Sequence, residues 1–276
     1  MIGVFDSGIG GVTLLHELIK LMPHEDYIYY ADTRHVPYSY KTPEQIKGYV
    51  EVAVLFLREK GCKMIVLACN TATNVAVEYL RSKYDFPIVA IQPAIKVAAD
   101  HSEDHKRILT CATPVTLQAE RYKKLVNTLQ IDHRLDNQPL PRLVEFAEKG
   151  IFEGSEVEAY LKEEIGKHNT PDHHFIVLGC THFTFYEDLI EKIFPNLKAI
   201  DGNEGTARQV KRLLEKEDNL KIKGTGRVTF FESGELLTSP EKYVKLLLRL
   251  RLNEAPYVIP AMSEAHQIPP GESDKT

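Results

Sequence analysis

The chain has 276 residues, 43% of them hydrophobic, and a formal net charge of −5 with both signs mixed along its length. That length allows one or two domains with substantial cores, and the lack of a basic stripe argues against a nucleic-acid partner. No stretch approaches eighteen uninterrupted apolar residues, so no membrane span is expected.

The four cysteines include no Cys-x-x-Cys pair, which argues against a disulfide framework and a structural zinc site. The opening Ile2-Gly3-Val4-Phe5 lacks the basic start and long apolar run of a signal peptide, so a cytoplasmic chain with reduced thiols is expected.

In chain order, Gly3-Val4-Phe5 reads as a strand that ends in Asp6-Ser7. Asp6-Ser7-Gly8-Ile9-Gly10-Gly11 then turns into an amphipathic helix over 12–22, with Leu14, Leu15, Leu18 and Leu21 at helical spacing. These glycines supply either positive φ or a cradle for an anion beside Asp6. Tyr27–Tyr30 is a second strand, closing on Ala31-Asp32-Thr33, and Pro37-Tyr38-Ser39-Tyr40 is a loop. Thr42-Pro43-Glu44-Gln45 is a capping box with proline at the first helical position, opening a helix that Gly61 stops.

The strand Ile65–Ala68 delivers Cys69 onto a turn, where Asn70 or Thr71 is suited to cap the next helix. A strand at 87–91 leads to Gln92-Pro93, a crossover into a second half. There the pattern predicts a strand at 107–111, helices over 115–129, 141–149 and 156–167, a strand ending at Gly179-Cys180, a helix over 185–194 and a strand at 198–201. His173-His174, after Pro171-Asp172, reads as solvated loop, and Tyr29 and Tyr30 as core and rim residues. A helix over 204–216 and a strand at 228–231 return to the first half, and a last helix follows Ser239-Pro240. The proline-rich polar stretch after Asn253 predicts a disordered tail.

The segment Ile65-Val66-Leu67-Ala68-Cys69-Asn70-Thr71 is echoed by Ile176-Val177-Leu178-Gly179-Cys180-Thr181-His182 at an offset of 111, and Gly3–Ser7 is echoed more weakly by Leu109–Thr113. Alternating strands and helices with such a repeat predict an α/β fold of two pseudo-symmetric open parallel-sheet domains, with a ligand in the cleft at the carboxyl ends of the strands. The expected domains are 1–93 plus 208–252, and 94–207, with 253–276 as the tail.

Two thiols at equivalent strand ends, facing one small ligand, suit a reaction with a base on one face of a carbon and an acid on the other, which is racemisation. A strand-to-helix turn favours thiolate, with His182 beside Cys180 and Asp6 serving Cys69. Ser7, Asn70, Thr71, Thr113, Thr116 and Thr181 offer neutral hydrogen bonds to a charged ligand. Cys62 and Cys111 read as packing residues, and Cys180 with His182 falls short of a metal set. Rival readings are buried cysteines kept for packing, a two-lobed anion-binding protein, and a redox pair.

Asp6-Ser7-Gly8-Ile9-Gly10-Gly11, Pro37-Tyr38, Cys69-Asn70-Thr71-Ala72 and Gly179-Cys180-Thr181-His182-Phe183 give the chain, over residues 2 to 250, a resemblance to the glutamate racemase family. The resemblance implies a two-thiol interconversion of L- and D-glutamate, without cofactor or metal, that supplies D-glutamate for peptidoglycan. It implies acid/base roles for Cys69 and Cys180, with Asp6, His182 and Glu145 assisting. The implied substrate contacts are Asp6, Ser7, Tyr38, Ser39, Asn70, Thr71, Thr181 and His182, with Thr113 and Thr116 on a matching Thr-x-x-Thr. A homodimer is implied as well. Ser39, Gln92 and Thr184 depart from the family pattern.

Overall fold

The computed structural model describes residues 1–102, 105–168 and 170–250; the expected tail lies outside the described residues. The first half contains β1 (Ile2–Asp6), α1 (Val12–Leu21), β2 (Tyr27–Ala31), α2 (Pro43–Glu59), β3 (Met64–Leu67), α3 (Asn70–Lys83) and β4 (Ile88–Ala90). The second contains α4 (Ala94–His101), β5 (Arg107–Ala112), α5 (Pro114–Gln118), α6 (Glu120–Leu129), β6 (Leu135–Pro139), α7 (Pro141–Glu148), α8 (Ser155–Ile165), β7 (His173–Gly179), α9 (Glu187–Ile193) and β8 (Lys198–Ile200). The chain then adds α10 (Asn203–Lys216), β9 (Val228–Glu232), β10 (Glu235–Leu236) and α11 (Glu241–Arg249).

The strands form two sheets, ordered β10-β9-β2-β1-β3-β4 and β6-β5-β7-β8. All pairs are parallel except β9 with β10. Within the first sheet, β2-β1-β3-β4 has the order of β6-β5-β7-β8, so β1 corresponds to β5 and the Cys69 strand β3 to the Cys180 strand β7. The 111-residue echo is thus a repeat of topology as well as of sequence.

Parallel strands with helices on both faces must be apolar throughout, and every residue of β1, β2 and β3 is buried. The helix α1 turns Leu14, Leu15 and Leu18 into the protein, and the Tyr27 hydroxyl donates to the Leu18 and Met22 carbonyls at its C-terminal end (2.9 and 2.8 Å). The expected capping box of α2 is present: Gln45 N–H donates to Thr42 Oγ1 (3.3 Å) and Thr42 N–H to Gln45 Oε1 (3.0 Å). One apolar cluster runs from Val4 and Leu14 of the first half to Leu109, Leu178 and Phe183 of the second. Each fully buried aliphatic or aromatic side chain in it contributes about 1.5–3 kcal/mol to folding.

Four expectations change. The helix expected over 115–129 breaks into α5 and α6 at Ala119, whose backbone is extended (φ −64°, ψ 137°). No strand is expected over the polar stretch 135–139, yet Leu135–Pro139 forms the edge strand β6. Its side chains find partners there: Asp136 with Arg107 and His173, Asn137 with Tyr122, and Gln138 with Glu164 and His168. His173 is therefore no loop residue; it opens β7, buried, with Nε2 2.8 Å from Asp136 Oδ2. Finally, α10 runs unbroken across the expected boundary at 207/208 and packs on α1. We propose that the chain leaves the second domain at 201–202 instead.

The turn after β1 explains its glycines by contact. Gly8, Gly10 and Gly11 all lack positive φ. A Cβ on Gly8 would lie 1.9 Å from Glu148 Oε1, and one on Gly10 would lie 2.3 Å from Thr181 Oγ1 and 2.5 Å from His182 Nδ1. The second half presses directly on this loop. Gly10→Ala should therefore destabilise the protein by about 1–3 kcal/mol, whereas Gly48→Ala, in the interior of α2 with open space at its Cβ, should stabilise it by roughly 0.5–1 kcal/mol. Urea midpoints at unchanged slope measure both, and a Gly10→Ala midpoint equal to that of the parent would refute the contact argument.

Candidate active site

The carboxyl ends of five parallel strands meet in the cleft. The end of β1 brings Asp6 and Ser7, β2 brings Asp32, β3 brings Cys69, β5 brings Thr113 and β7 brings Cys180. All six are buried. The helices α1, α3 and α5 start just beyond three of these strand ends.

Cys69 itself caps α3, rather than Asn70 or Thr71: Ala72 N–H donates to its Sγ at 3.4 Å. Its thiol donates to Ser7 Oγ at 3.6 Å. A helix N-terminus favours thiolate, but burial, reinforced by the neighbouring Asp6 charge and by Cys180, pushes the thiol up to about 12.

Cys180 stands differently. Its Sγ lies 3.7 Å from His182 Nδ1, and His182 Nε2 lies 2.6 Å from Glu148 Oε1. Burial works against a charged imidazole, but the Cys180 sulfur and the Glu148 carboxylate overcome it and hold the ring well above the usual histidine range. His182 thus faces the Cys180 sulfur as a ring that favours its charged form. Glu148 also accepts from Ile9 N–H of the first half at 2.9 Å. Burial disfavours its charge, yet His182 and Ile9 hold the carboxyl below the usual range.

Asp6 ties the two thiol regions together. One oxygen accepts from Gly8 N–H (3.0 Å) and the other from the Thr181 hydroxyl of the opposite half (3.1 Å). Complete burial lifts its carboxyl to about 6, against the opposing pull of His182. Three more hydroxyls close the cleft: Thr71 Oγ1 lies 2.9 Å from Thr113 Oγ1 and 3.2 Å from Thr116 Oγ1, and Thr113 caps α5 through Thr116 N–H at 3.2 Å. They mutually satisfy one another across the two halves. Asn70, at the first turn of α3, is half-buried beside them.

Tyr38 and Ser39 form a single helical turn with Tyr40, packed against α3 and α5. The Tyr38 hydroxyl donates to Asp32 Oδ2 at 2.7 Å. Ser39 is buried at negative φ, so serine fits where the family pattern has glycine. Tyr29, fully buried, donates its hydroxyl to the Gly8 carbonyl at 2.7 Å and so supports the glycine loop from below.

The structure brings Asp6, Ser7, Tyr38, Ser39, Asn70, Thr71, Thr113, Thr116, Thr181 and His182 to the two thiols' neighbourhood, and it corrects one position. The carboxylate on His182 is Glu148, not Glu145. Glu145 lies one helical turn earlier on α7 and accepts from the exposed Tyr40 hydroxyl instead (2.7 Å). Two residues escaped the sequence reading of the site. Asp32 follows β2 as Asp6 ends β1, and that repeated strand-end carboxylate was the available signal. Glu148 shares a helix face with Glu145 at i, i+3, a spacing that sequence cannot resolve into inner and outer. Among the described residues, no group of three or more His, Cys, Asp or Glu is arranged to hold a metal ion, all four cysteines are free, and no helix is long and apolar enough to cross a membrane.

This geometry has close counterparts. A chain from Lachnospira eligens named glutamate racemase is 43% identical over 253 residues, covering 89% of this chain and 96% of that one. Glutamate racemase 2 of Bacillus subtilis is 45% identical over 252 residues, covering 89% and 94%. The crystal structure of glutamate racemase from Francisella tularensis in complex with D-glutamate superposes with a TM-score of 0.77 at 25% identity, covering 93% and 96%. The enzyme from Thermus thermophilus, in complex with beta-chloro-D-alanine, gives 0.74 at 30% identity, covering 90% and 92%. The Asp/Glu/Hydantoin racemase family model matches residues 7–210. With that match across both thiol motifs, the chain belongs to the Asp/Glu/hydantoin racemase family.

Proposed function

We propose that the protein interconverts L- and D-glutamate by moving the α-proton between two thiols. The observation that carries this reading is the unequal pair itself: Cys69 Sγ accepts from Ala72 N–H at the start of α3, while Cys180 Sγ lies 3.7 Å from His182 Nδ1, whose Nε2 is 2.6 Å from Glu148. The reaction then starts with Cys180 as thiolate and Cys69 as thiol. From this state Cys180 Sγ takes the α-proton from one face. Cys69 Sγ–H delivers its proton to the opposite face, and the C–H bond that forms restores the carbon with inverted configuration. The enzyme is left with Cys180 as thiol and Cys69 as thiolate, the starting state for the reverse direction.

The substrate's carboxylates and ammonium would meet neutral donors and Asp6. Ser7, Asn70, Thr71, Thr113, Thr116 and Thr181 orient charged groups without neutralising the thiolate. Glutamate rather than aspartate is favoured by the relatives above, which carry that name at 43% and 45% identity. Supply of D-glutamate to peptidoglycan, a cytoplasmic location and a homodimer belong to the same reading; light scattering of the purified protein tests the last.

In deuterium oxide, L-glutamate should yield D-glutamate deuterated at the α-carbon. Cys69→Ala and Cys180→Ala should each lower racemisation by about 10³-fold or more, since a positioned acid or base contributes about 10²–10⁴. Near-normal turnover in either variant would exclude its thiol. Removing a partner of the buried His182 charge has a related effect: Glu148→Gln should cut kcat by roughly 10²-fold, and an unchanged kcat would detach Glu148 from the chemistry.

The pH dependence follows from Asp6. Its raised pKa means that any stability it lends is present below the ordinary carboxyl range and lost as the pH rises through about 6. The acceptor form needed by Gly8 N–H and Thr181 exists above about 6. Activity should therefore decline below pH about 6, and Asp6→Asn should abolish that limb of the profile while lowering the plateau. A limb that persists in Asp6→Asn would assign it to another group.

A further inference from the structure

The pair formed by Tyr40 and Glu145 is outside the thiol chemistry. Tyr40 is 62% exposed, yet its hydroxyl donates to Glu145 Oε1 at 2.7 Å. The partners come from opposite halves: Tyr40 ends the turn that carries Tyr38 and Ser39, and Glu145 lies on α7 one turn before Glu148. α7 therefore reaches the first half with two carboxylates on one face, the inner on Ile9 N–H and His182, the outer on Tyr40. The Ser39 hydroxyl, next to Tyr40 in the chain, is buried without a hydrogen-bond partner.

We propose that Tyr40 and Glu145 are positioning residues that latch the 38–40 turn across the mouth of the cleft, so that substrate enters and product leaves when this hydrogen bond parts. The proposal rests on the racemase reading for what passes the latch. Neither side chain touches the reacting carbon. Their effect is to keep Tyr38 and Ser39 seated against the N-terminal ends of α3 and α5, where the Thr71, Thr113 and Thr116 hydroxyls converge. With Tyr40 exposed and Glu145 half-buried, this hydrogen bond competes with water and parts readily.

The test is a double-mutant cycle on the full chain with Tyr40→Phe, Glu145→Ala and their combination, plus Glu145→Gln as the variant that keeps an acceptor oxygen. Each single loss should lower kcat/KM by about two- to five-fold, chiefly through KM, with the pH profile and the thermal midpoint unchanged. The double variant should lose no more than either single, and Glu145→Gln should recover part of the loss. Amide exchange reads the same latch without substrate: the Lys41 amide, bonded to the Tyr38 carbonyl at 3.1 Å, should exchange faster by the same factor in Tyr40→Phe and in Glu145→Ala. Multiplicative losses in the double variant, losses that track the thermal midpoint, or unchanged Lys41 exchange would overturn the latch. If the parent does not racemise glutamate, the functional reading fails while the exchange measurement still decides the latch.

Discussion

The Glu148 carboxylate is the contact on which the rest of the site depends. A single oxygen receives Ile9 N–H from one half and the His182 imidazolium from the other. Burying an ion pair is costly unless each charge is fully partnered, and removing one partner strands the other at a cost of about 3–5 kcal/mol. The glycine loop must come within van der Waals reach of this oxygen, which is why a Cβ at Gly8 has no room. Loop composition, interdomain distance and the protonation of His182 are thus one constraint seen at three positions.

Much of the fold was legible because parallel-sheet strands are short apolar runs and their ends carry polar residues. The internal repeat makes Cys69 and Cys180 counterparts in the sequence itself, and the sheet orders show that correspondence strand by strand. The illegible parts are those where tertiary partners replace hydrophobicity. Nothing local marks Leu135–Pro139 as a strand, because its stability comes from Arg107, Tyr122, Glu164, His168 and His173 elsewhere in the chain. His173 looked solvated for the same reason.

In the site, residue type was readable and rotation was not. A helix with carboxylates at 145 and 148 shows both on one face, and only packing decides which one turns to the imidazole. Of the two readings open for the glycines of the first turn, positive φ does not apply; the structure requires them for close approach of the second half. Asp32 follows its strand as many loop carboxylates do, and its bond to Tyr38 is what gives it a place.

The two halves share a strand order but not the groups beside their thiols: Cys69 meets Ser7 and the start of α3, and Cys180 meets a histidine that holds a carboxylate. For mirror-image substrates in water this asymmetry has a strict bound. Enantiomers have equal free energies, so the equilibrium constant is unity and the Haldane relation makes kcat/KM identical in both directions at every pH and in every variant. The unlike neighbours can only redistribute that shared value, giving one direction a faster turnover and a proportionally weaker saturation. The sequence difference between the two sides of the cleft therefore sets the concentration range in which each enantiomer saturates the enzyme, and it leaves untouched the ratio in which the two accumulate.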